Sequence, residues 1–260
     1  MSDPPSVRYE VTGRVARLTL NRPERGNGIT LELVRELGDC VERADLDPAV
    51  HVLLLAGEGP GFCAGYDLVE SAERLGEAAH GEAAQGGAGA GAGSPAGGSP
   101  PPGSPLDPEV IAAGAKIGYP PARVWGSPTT ALWAHRIGAQ RAKRLLFTGD
   151  SLSGAEAAEW GLAIDAPPDD RLDERAEALV ERVAMMPVNQ LRMMKLLVNQ
   201  SVLGQGLQAT QALGTLLDGI ARHTAEGYAF QRRAAAASFK QAVRERDEPF
   251  GDAGRSTHKG

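Results

Sequence analysis

The segment with the clearest potential for chemistry is the glycine turn at residues 62–68, in which Gly65 and Tyr66 precede Asp67. It follows the apolar run 51–56, which predicts a buried strand, and it opens into a helical pattern. A strand that enters a tight glycine turn before a helix leaves backbone N–H groups without partners. Such N–H groups can stabilise an oxyanion, so this turn is a candidate active-site element.

The two cysteines of the chain form neither a metal-ligand spacing nor a disulfide framework. Cys40 lies in a helical pattern, and Cys63 lies inside the glycine turn. A cysteine beside a helix N-terminus can be a reactive thiol, but a small packed residue is the favoured interpretation of Cys63. His223 and Glu226 have helical i,i+3 spacing, yet no third ligand is close in sequence, so no metal site is expected.

The elements that must position the turn can be predicted from the residues before it. Residues 7–11 and 14–20 alternate in polarity around Thr12-Gly13, which predicts a β-hairpin. From Thr30, a candidate N-cap, apolar residues recur at helical spacing until a break after residue 45. The continuous apolar run at 52–55 is typical of a parallel strand covered on both faces. The series of strand, helix and strand predicts a crossover connection.

Composition and charge limit the class of protein. A chain of 260 residues, 42% of them apolar, can bury one substantial core. A formal net charge of −6 argues against a nucleic-acid partner, because neutralising phosphates needs clustered Lys and Arg. Residues 1–9 lack the apolar segment of a signal peptide. No stretch of the chain approaches the eighteen consecutive apolar residues that indicate a transmembrane helix. A cytoplasmic protein with no membrane partner is therefore expected.

The composition changes abruptly after Leu75, since residues 76–105 are mostly Gly, Ala, Ser and Pro. Such a segment cannot bury enough apolar surface to offset the entropy of ordering, so a disordered linker is expected over 76–114. Its glycines approach a dinucleotide-binding fingerprint. No predicted strand precedes them and no helix follows, so a phosphate cradle is not favoured.

Beyond residue 115 the patterns are mostly helical. Residues 117–126 are predicted to be extended and rich in turns, because a proline biases the residue before it away from helix. Residues 153–156, Ser-Gly-Ala-Glu, have the spacing of a capping box, and Gly161 is a stop signal for the helix that they begin. Further helices are predicted at 139–147, 173–186, 189–203, 205–223 and 225–246.

Three blocks of sequence, taken in this order, resemble the crotonase, or enoyl-CoA hydratase/isomerase, superfamily. They are LTLNRP at 18–23, FCAGYDL at 62–68 and TGDSLSGAEAAEWGLA at 148–163. The resemblance implies an α/β fold, a spiral of ββα units with a C-terminal helical trimerisation region. It places the core in 1–75 and 115–170 and the helical region in 171–260. It also implies an acyl-CoA thioester as partner and a homotrimer or dimer of trimers as assembly.

The resemblance assigns roles within the glycine turn. In the family, two backbone N–H groups polarise the thioester carbonyl, and one of them matches the N–H of Tyr66, directly after Gly65. Loss of one such donor costs about 10²–10³ in rate. Asp67 is interpreted as the cap of the following helix rather than as a catalytic group. Cys63 and Ala64 are assigned to the surroundings of the substrate.

The second donor of the family follows a central apolar strand and opens another helix, and the Gly/Ala/Pro segment occupies that place here. Residues 106–113 and 114–116 read as two ends joined across a deletion, so an incomplete core is expected. One of the two acid–base glutamates of the hydratases lies in the helix that is lacking. The other is matched by Pro121, which cannot transfer a proton.

Five further residues are assigned to the substrate by the resemblance. Tyr119, Arg123 and Trp125 are expected near the mouth of the site, with core or tunnel wall as the simpler reading of the two aromatics. Arg22 and Arg25 flank the turn where relatives contact the nucleotide end of coenzyme A, with solvated surface charge as the alternative. Coenzyme A enters as part of the substrate, and no separate cofactor is expected.

Three interpretations stay open at this point. The first is an enzyme of the enoyl-CoA hydratase/isomerase type that acts through stabilisation of a thioester oxyanion. The second is a catalytically impaired or inactive member that binds a CoA thioester or serves as a structural trimer subunit. The third is a chain that folds poorly alone, because the loss of a central strand exposes sheet edges and apolar faces.

Overall fold

The computed structural model describes residues 4–67, 109–124 and 130–251. They divide into two compact units. Unit 1 comprises residues 1–104 and 179–193, and unit 2 comprises residues 105–178 and 194–260. In the described part of the chain, no helix combines the length and apolarity needed to cross a membrane.

Several predictions concern residues outside the described ranges: the linker as far as residue 108, the helix after the glycine turn, and Trp125. The end of the predicted linker, 109–114, is described and is bonded to the rest of unit 2. Val110 forms a parallel bridge with Asp165, and the Ala113 N–H donates to the Pro167 carbonyl at 2.8 Å. These six residues therefore have defined partners.

The predicted hairpin is confirmed in unit 1. It consists of β1, Val7–Thr12, and β2, Val15–Leu20, which pair antiparallel. Thr12 pairs with Val15, so residues 13–14 form the connecting turn, one residue later than the sequence indicates. Gly13 adopts a φ of +59° there, a conformation that glycine enters without steric cost.

A helix and a parallel strand follow the hairpin. α1, Leu31–Leu46, begins at the predicted cap Thr30, whose hydroxyl accepts a hydrogen bond from the Leu33 N–H at 3.1 Å. β3, Val52–Gly57, pairs parallel with β2, as the crossover prediction requires. The sheet order in unit 1 is therefore β1-β2-β3.

Both faces of this sheet are covered by apolar side chains, and β2 is more deeply buried than β3. Ala16, Leu18 and Leu20 of β2 are at most 3% exposed and pack in one cluster with residues of α1. Every residue of β3 is only half-buried, and β3 pairs with β2 alone among the described strands. Leu53 and Leu55 pack against the cluster that contains Leu18, whereas Val52 and Leu54 pack on the opposite face against Val180 and Ala184. The prediction of a strand covered on both faces is therefore confirmed, although β3 lies at the edge of the described sheet.

Unit 2 contains a two-stranded sheet and helices packed beside it. In chain order these are β4, Lys116–Gly118; α2, Thr130–Thr148; β5, Ser151–Ser153; and α3, Gly154–Trp160. α2 consists of two helical parts that meet at a kink at Gly138, where φ is +78° and ψ is +159°, and the helix predicted at 139–147 is the second part. β4 pairs antiparallel with β5. The predicted capping box is confirmed, since the Ser153 hydroxyl accepts from the Glu156 N–H at 3.2 Å and the Glu156 carboxylate accepts from the Ser153 N–H at 2.6 Å.

The remaining helices are α4, Leu172–Ala184; α5, Val188–Leu203; α6, Leu207–Ala221; α7, Ala225–Ala236; and α8, Phe239–Asp247. The first three agree with the predicted helices to within two residues at each end. The single helix predicted at 225–246 is wrong, because the chain breaks between α7 and α8. The Ser238 hydroxyl starts α8 by accepting a hydrogen bond from the Gln241 N–H at 3.1 Å. In a continuous helix that N–H would instead donate to the carbonyl four residues earlier.

A buried ionic cluster in unit 2 surrounds Arg123, whose side chain is 1% exposed. Its guanidinium donates to the Thr148 carbonyl at 3.0 Å and to the Asp247 carboxylate at 3.1 Å. Arg246 donates to both oxygens of the same carboxylate, at 2.8 and 2.7 Å. The guanidinium carbon of Arg123 also lies 4.0 Å from the centre of the Phe250 ring. Protein groups thus surround the cation that the sequence analysis assigned to the substrate.

The charge of Asp247 is maintained by its two arginines. Burial opposes ionisation, but hydrogen bonds from Arg246 and Arg123 outweigh it and hold the pKa of Asp247 below its ordinary value. Because the folded-state pKa is depressed, the cluster stabilises the fold above the unfolded pKa of about 3.9. That contribution is lost as the pH falls through the folded-state pKa.

Asp247→Ala should lower the free energy of unfolding by about 3–5 kcal/mol at pH 7, because two buried guanidinium groups lose the carboxylate that they share and Arg123 keeps the longer ion pair with Asp150, at 3.6 Å. Urea denaturation at pH 7 and at pH 3 measures this, and the difference between variant and wild type should shrink at the lower pH. Glu174→Ala is the control, since Glu174 and its partner Arg171 are both more than 60% exposed, and little change is expected. Equal effects of the two substitutions would contradict the structural role of the cluster.

Gly57, at the end of β3, lies so close to the backbone of Phe62 that only glycine fits at this position. A Cβ added to Gly57 would lie 2.5 Å from the Phe62 carbonyl oxygen and 2.8 Å from the Phe62 Cα. Both atoms belong to the backbone, so neither can rotate away.

Gly57→Ala should therefore lower the free energy of unfolding by about 1–3 kcal/mol through overpacking. The control is Gly38→Ala in α1, where an added Cβ meets no atom within 4 Å. That change should raise stability by about 0.5–1 kcal/mol, because alanine is the better helix former. Chemical denaturation measures both, and a neutral Gly57→Ala would show that the turn moves freely.

Candidate active site

The glycine turn lies against the loop at 21–29, and the two segments are joined by backbone hydrogen bonds. The Ile29 N–H donates to the Gly65 carbonyl at 2.8 Å, and the Asp67 N–H donates to the Ile29 carbonyl at 3.0 Å. The Ala64 N–H donates to the Gly26 carbonyl at 2.9 Å. The first two bonds form a parallel bridge between Ile29 and Tyr66.

This bridge determines the direction of the Tyr66 N–H. The Gly65 carbonyl and the Tyr66 N–H belong to one trans peptide unit, in which they point in opposite directions. Because the carbonyl points at Ile29, the N–H points away from Ile29. Among the described residues, no hydrogen bond uses this N–H. The Tyr66 amide therefore has the orientation that an oxyanion-stabilising donor requires.

The side chains around this donor leave room for a ligand. Gly65 has a φ of +91°, and a Cβ added to it would meet no described atom within 4 Å. Ala64 is exposed, and the side chains of Phe62 and Tyr66 are 53% and 66% exposed. Cys63 is half-buried and packs against the core of unit 1, in keeping with the interpretation of a small packed residue.

Asn27 joins the loop to the turn, and it was not among the residues predicted from the sequence. Its side chain is fully buried. The Oδ1 atom accepts from the Arg22 N–H at 2.9 Å, and Nδ2 donates to the carbonyls of Glu58 and Gly61 at 2.9 and 3.0 Å. Its φ of +52° is the one positive φ of a non-glycine residue in the described ranges. The Asn-Gly dipeptide at 27–28 is the signal that indicates such a conformation, since Asn tolerates the left-handed region.

Asp67 is the second residue that joins the loop to the turn, with a side chain that is 5% exposed. Arg25 donates to its two carboxylate oxygens, through Nη2 at 2.9 Å and Nε at 3.2 Å. Arg22 donates to the same carboxylate at 3.3 Å and to the Gly28 carbonyl at 2.8 Å. Asp67 is thus the counter-ion of both arginines. The predicted capping role concerns residues that are not described.

The other residues assigned to the substrate belong to unit 2. Tyr119 is half-buried and packs against the core of that unit, and Arg123 lies in the ionic cluster with Asp247. Pro121 lies in the short 3-10 helix Pro120–Arg123. Within the described ranges, no group of three His, Cys, Asp or Glu side chains is arranged to hold a metal ion.

In the described part of unit 1, the turn presents one amide donor, and that amide itself does not transfer a proton. A backbone N–H stabilises negative charge that develops on an oxygen, such as the carbonyl oxygen of a thioester. Proton transfer would need a side chain in addition. The turn by itself therefore supports binding and polarisation of a carbonyl group.

Comparison with known proteins identifies the family of the chain. The family model described as enoyl-CoA hydratase/isomerase matches residues 10–86 and 107–240. A 1,2-epoxyphenylacetyl-CoA isomerase from Escherichia coli (strain K12) is 30% identical over 230 residues, which cover 78% of this chain and 83% of that protein. The interruption of the family match at 87–106 falls in the Gly/Ala/Pro segment.

Two solved structures have a similar fold. A crystal structure of an enoyl-CoA hydratase from Mycobacterium smegmatis matches with a TM-score of 0.80 and 45% identity, over 97% of each chain. A crystal structure of an enoyl-CoA hydratase/isomerase from Xanthobacter autotrophicus Py2 matches with a TM-score of 0.76 at 20% identity, over 94% of this chain and 98% of that one. The chain therefore belongs to the enoyl-CoA hydratase/isomerase, or crotonase, family and has its α/β fold.

Proposed function

We propose that this chain binds an acyl-CoA thioester and polarises its carbonyl through the backbone N–H of Tyr66, in chemistry of the enoyl-CoA hydratase/isomerase type. The observation that carries the proposal is the direction of that N–H, which follows from the bond between Ile29 and the Gly65 carbonyl. Family membership supports the choice of a CoA thioester as ligand. Exposed apolar side chains beside the donor, Phe62 and Tyr66, supply a surface that the acyl or pantetheine chain can cover.

The proposed catalytic step is stabilisation of charge. When an enolate or oxyanion forms, negative charge develops on the thioester oxygen, and a fixed N–H binds this oxygen more strongly in the transition state than in the ground state. The donor needs no reorganisation, because the turn that carries it is already bonded to the loop at 21–29. Cys63 and Ala64, which lie in the same turn, form the wall of the proposed site beside Gly65.

A binding-only protein is the alternative, and one observation favours it. Pro121 stands where the resemblance places an acid–base glutamate, and a proline cannot take or deliver a proton. If no other group replaces the glutamate pair, the chain would bind and polarise a thioester without adding water to it.

Tyr66→Pro tests the donor directly, because proline has no N–H. The substitution removes a hydrogen that forms no bond within the described part of the protein. We expect kcat/KM with crotonyl-CoA to fall about 10²–10³-fold relative to Tyr66→Ala, which loses the phenol but keeps the N–H. Loss of the enoyl thioester absorbance measures turnover.

Binding is measured separately by thermal unfolding with acyl-CoA. Ligand at a hundred times its dissociation constant should add about 2.7 kcal/mol of stability to the wild type. Equal activity of the Pro and Ala variants would remove Tyr66 from the proposed mechanism. Stabilisation without turnover would establish the binding-only alternative, and neither effect would exclude both functions.

We also propose that the chain assembles as a homotrimer or a dimer of trimers through its C-terminal helices. On α6 the residues 213, 216, 217 and 220 recur at i, i+3, i+4 and i+7 and so share one face. They are Leu213, Leu216, Leu217 and Ile220, each between 46% and 61% exposed. An apolar stripe of this kind is typical of an interface.

Light scattering after size exclusion should give the mass of three or six chains. Leu216→Glu combined with Leu217→Glu should shift the mass toward one chain, because the two charges would be buried at the interface. Leu46→Glu is the control, since Leu46 is 74% exposed at the end of α1 and the assembly should not change. A stable wild-type monomer would contradict the proposed assembly.

A further inference from the structure

Two side chains hold the segment that carries Tyr66, one before it and one after it, and both connect this segment to the loop at 21–29. Before the donor, Asn27 bonds to the carbonyls of Glu58 and Gly61. After the donor, Asp67 directly follows Tyr66, and its buried carboxylate is bonded to arginines of the same loop. The loop therefore acts as a template for the segment that carries the amide.

The geometry of Arg25 indicates positioning rather than general attraction of anions. Its Nε and Nη2 atoms donate to the two oxygens of Asp67, which is the bidentate fork that fixes both partners in orientation. A lysine would keep the positive charge but not the fork. A buried carboxylate needs such partners, because an unpaired one is strongly disfavoured away from water.

The donors of Arg22 are also directed into the protein. Nη1 donates to the Gly28 carbonyl and Nη2 to Asp67, and the side chain is only 20% exposed. A cation that held the phosphates of coenzyme A would have to turn its donors outward, away from these partners. Gly28 itself lies close to Asp67, since a Cβ added to it would be 3.1 Å from the Asp67 Cβ.

We propose that Asp67, with Arg25 and Arg22 as its counter-ions, is a positioning residue for the Tyr66 amide, and that these arginines act on the thioester reaction through Asp67 and not by holding the phosphates of coenzyme A. This inference rests on the proposed function of Tyr66. Asn27 performs the same positioning from the other end of the turn.

Two substrates separate the two roles of the arginines: crotonyl-CoA, and crotonyl-pantetheine, which lacks the nucleotide and its phosphates. Asp67→Asn and Arg25→Lys should each lower kcat about 10–100-fold with both thioesters, because a small misplacement of a catalytic donor has an effect of that size. KM for crotonyl-CoA should change no more than KM for crotonyl-pantetheine. Arg171→Lys, at an exposed arginine of unit 2, is the control and should change neither constant.

The phosphate role predicts a different pattern. Arg25→Ala would then raise KM for crotonyl-CoA alone, Arg25→Lys would restore it, and kcat would be unchanged with crotonyl-pantetheine. That result would overturn the inference. Asp67→Asn supplies a second variant in which both arginines are intact, so one poorly folded variant does not decide the outcome.

A spectroscopic readout does not depend on turnover. Protein labelled with ¹⁵N-tyrosine has four amide signals, from Tyr9, Tyr66, Tyr119 and Tyr228. Tyr66→Phe identifies the Tyr66 signal by removing it. In Asp67→Asn and Arg25→Lys this signal should shift while the other three stay in place, and an unchanged Tyr66 signal would overturn the inference. Failure of the wild type to bind or convert either thioester would instead overturn the proposed function. The shift of the Tyr66 amide signal in the variants could still be measured in that case.

Discussion

The hydrogen bond from the Ile29 N–H to the Gly65 carbonyl is the constraint on which the candidate site depends. A trans peptide holds its C=O and N–H in opposite directions, so the bond that fixes the carbonyl also orients the Tyr66 amide. The donor is therefore a consequence of how two loops pair, and the identity of the Tyr66 side chain does not determine it. A close approach that needs glycine at Gly57, and a tight one at Gly28, allow the loops and the end of β3 to lie near enough for this pairing.

Each of the two units contains a buried carboxylate that is bonded to two arginines. In unit 1 the buried carboxylate of Asp67 is bonded to Arg22 and Arg25, and in unit 2 that of Asp247 is bonded to Arg123 and Arg246. In both, the cost of burying a carboxylate is offset by charge-assisted hydrogen bonds. The first cluster lies beside the candidate amide donor. The second holds the C-terminal end of α8, which explains why an arginine assigned to the substrate has no exposed face.

Family membership and the geometry of the turn support an amide donor that polarises a carbonyl more strongly than they support acid–base side chains. The family accounts for the fold and for a thioester ligand, and the bridge at Ile29 accounts for an amide that can polarise a carbonyl. Proton transfer depends on side chains, and Pro121 supplies none at the matched position. A backbone donor and an acid–base side chain are separate requirements, because the orientation of a backbone N–H does not depend on the identity of a distant side chain.

The sequence by itself determined the features that arise from neighbouring residues. The cap at Thr30 and the capping box at Ser153 are hydrogen bonds between residues three positions apart, and the hairpin follows from alternation of polarity. All three were therefore predictable. The break at Ser238 is equally local, but the four alanines directly before it favour a continuous helix and concealed the cap. Asn27 reaches carbonyls 31 and 34 residues away, and Arg123 reaches a carboxylate 124 residues away. Only the tertiary structure decides such pairs, because the burial and partners of a polar side chain depend on which distant segments the fold brings together.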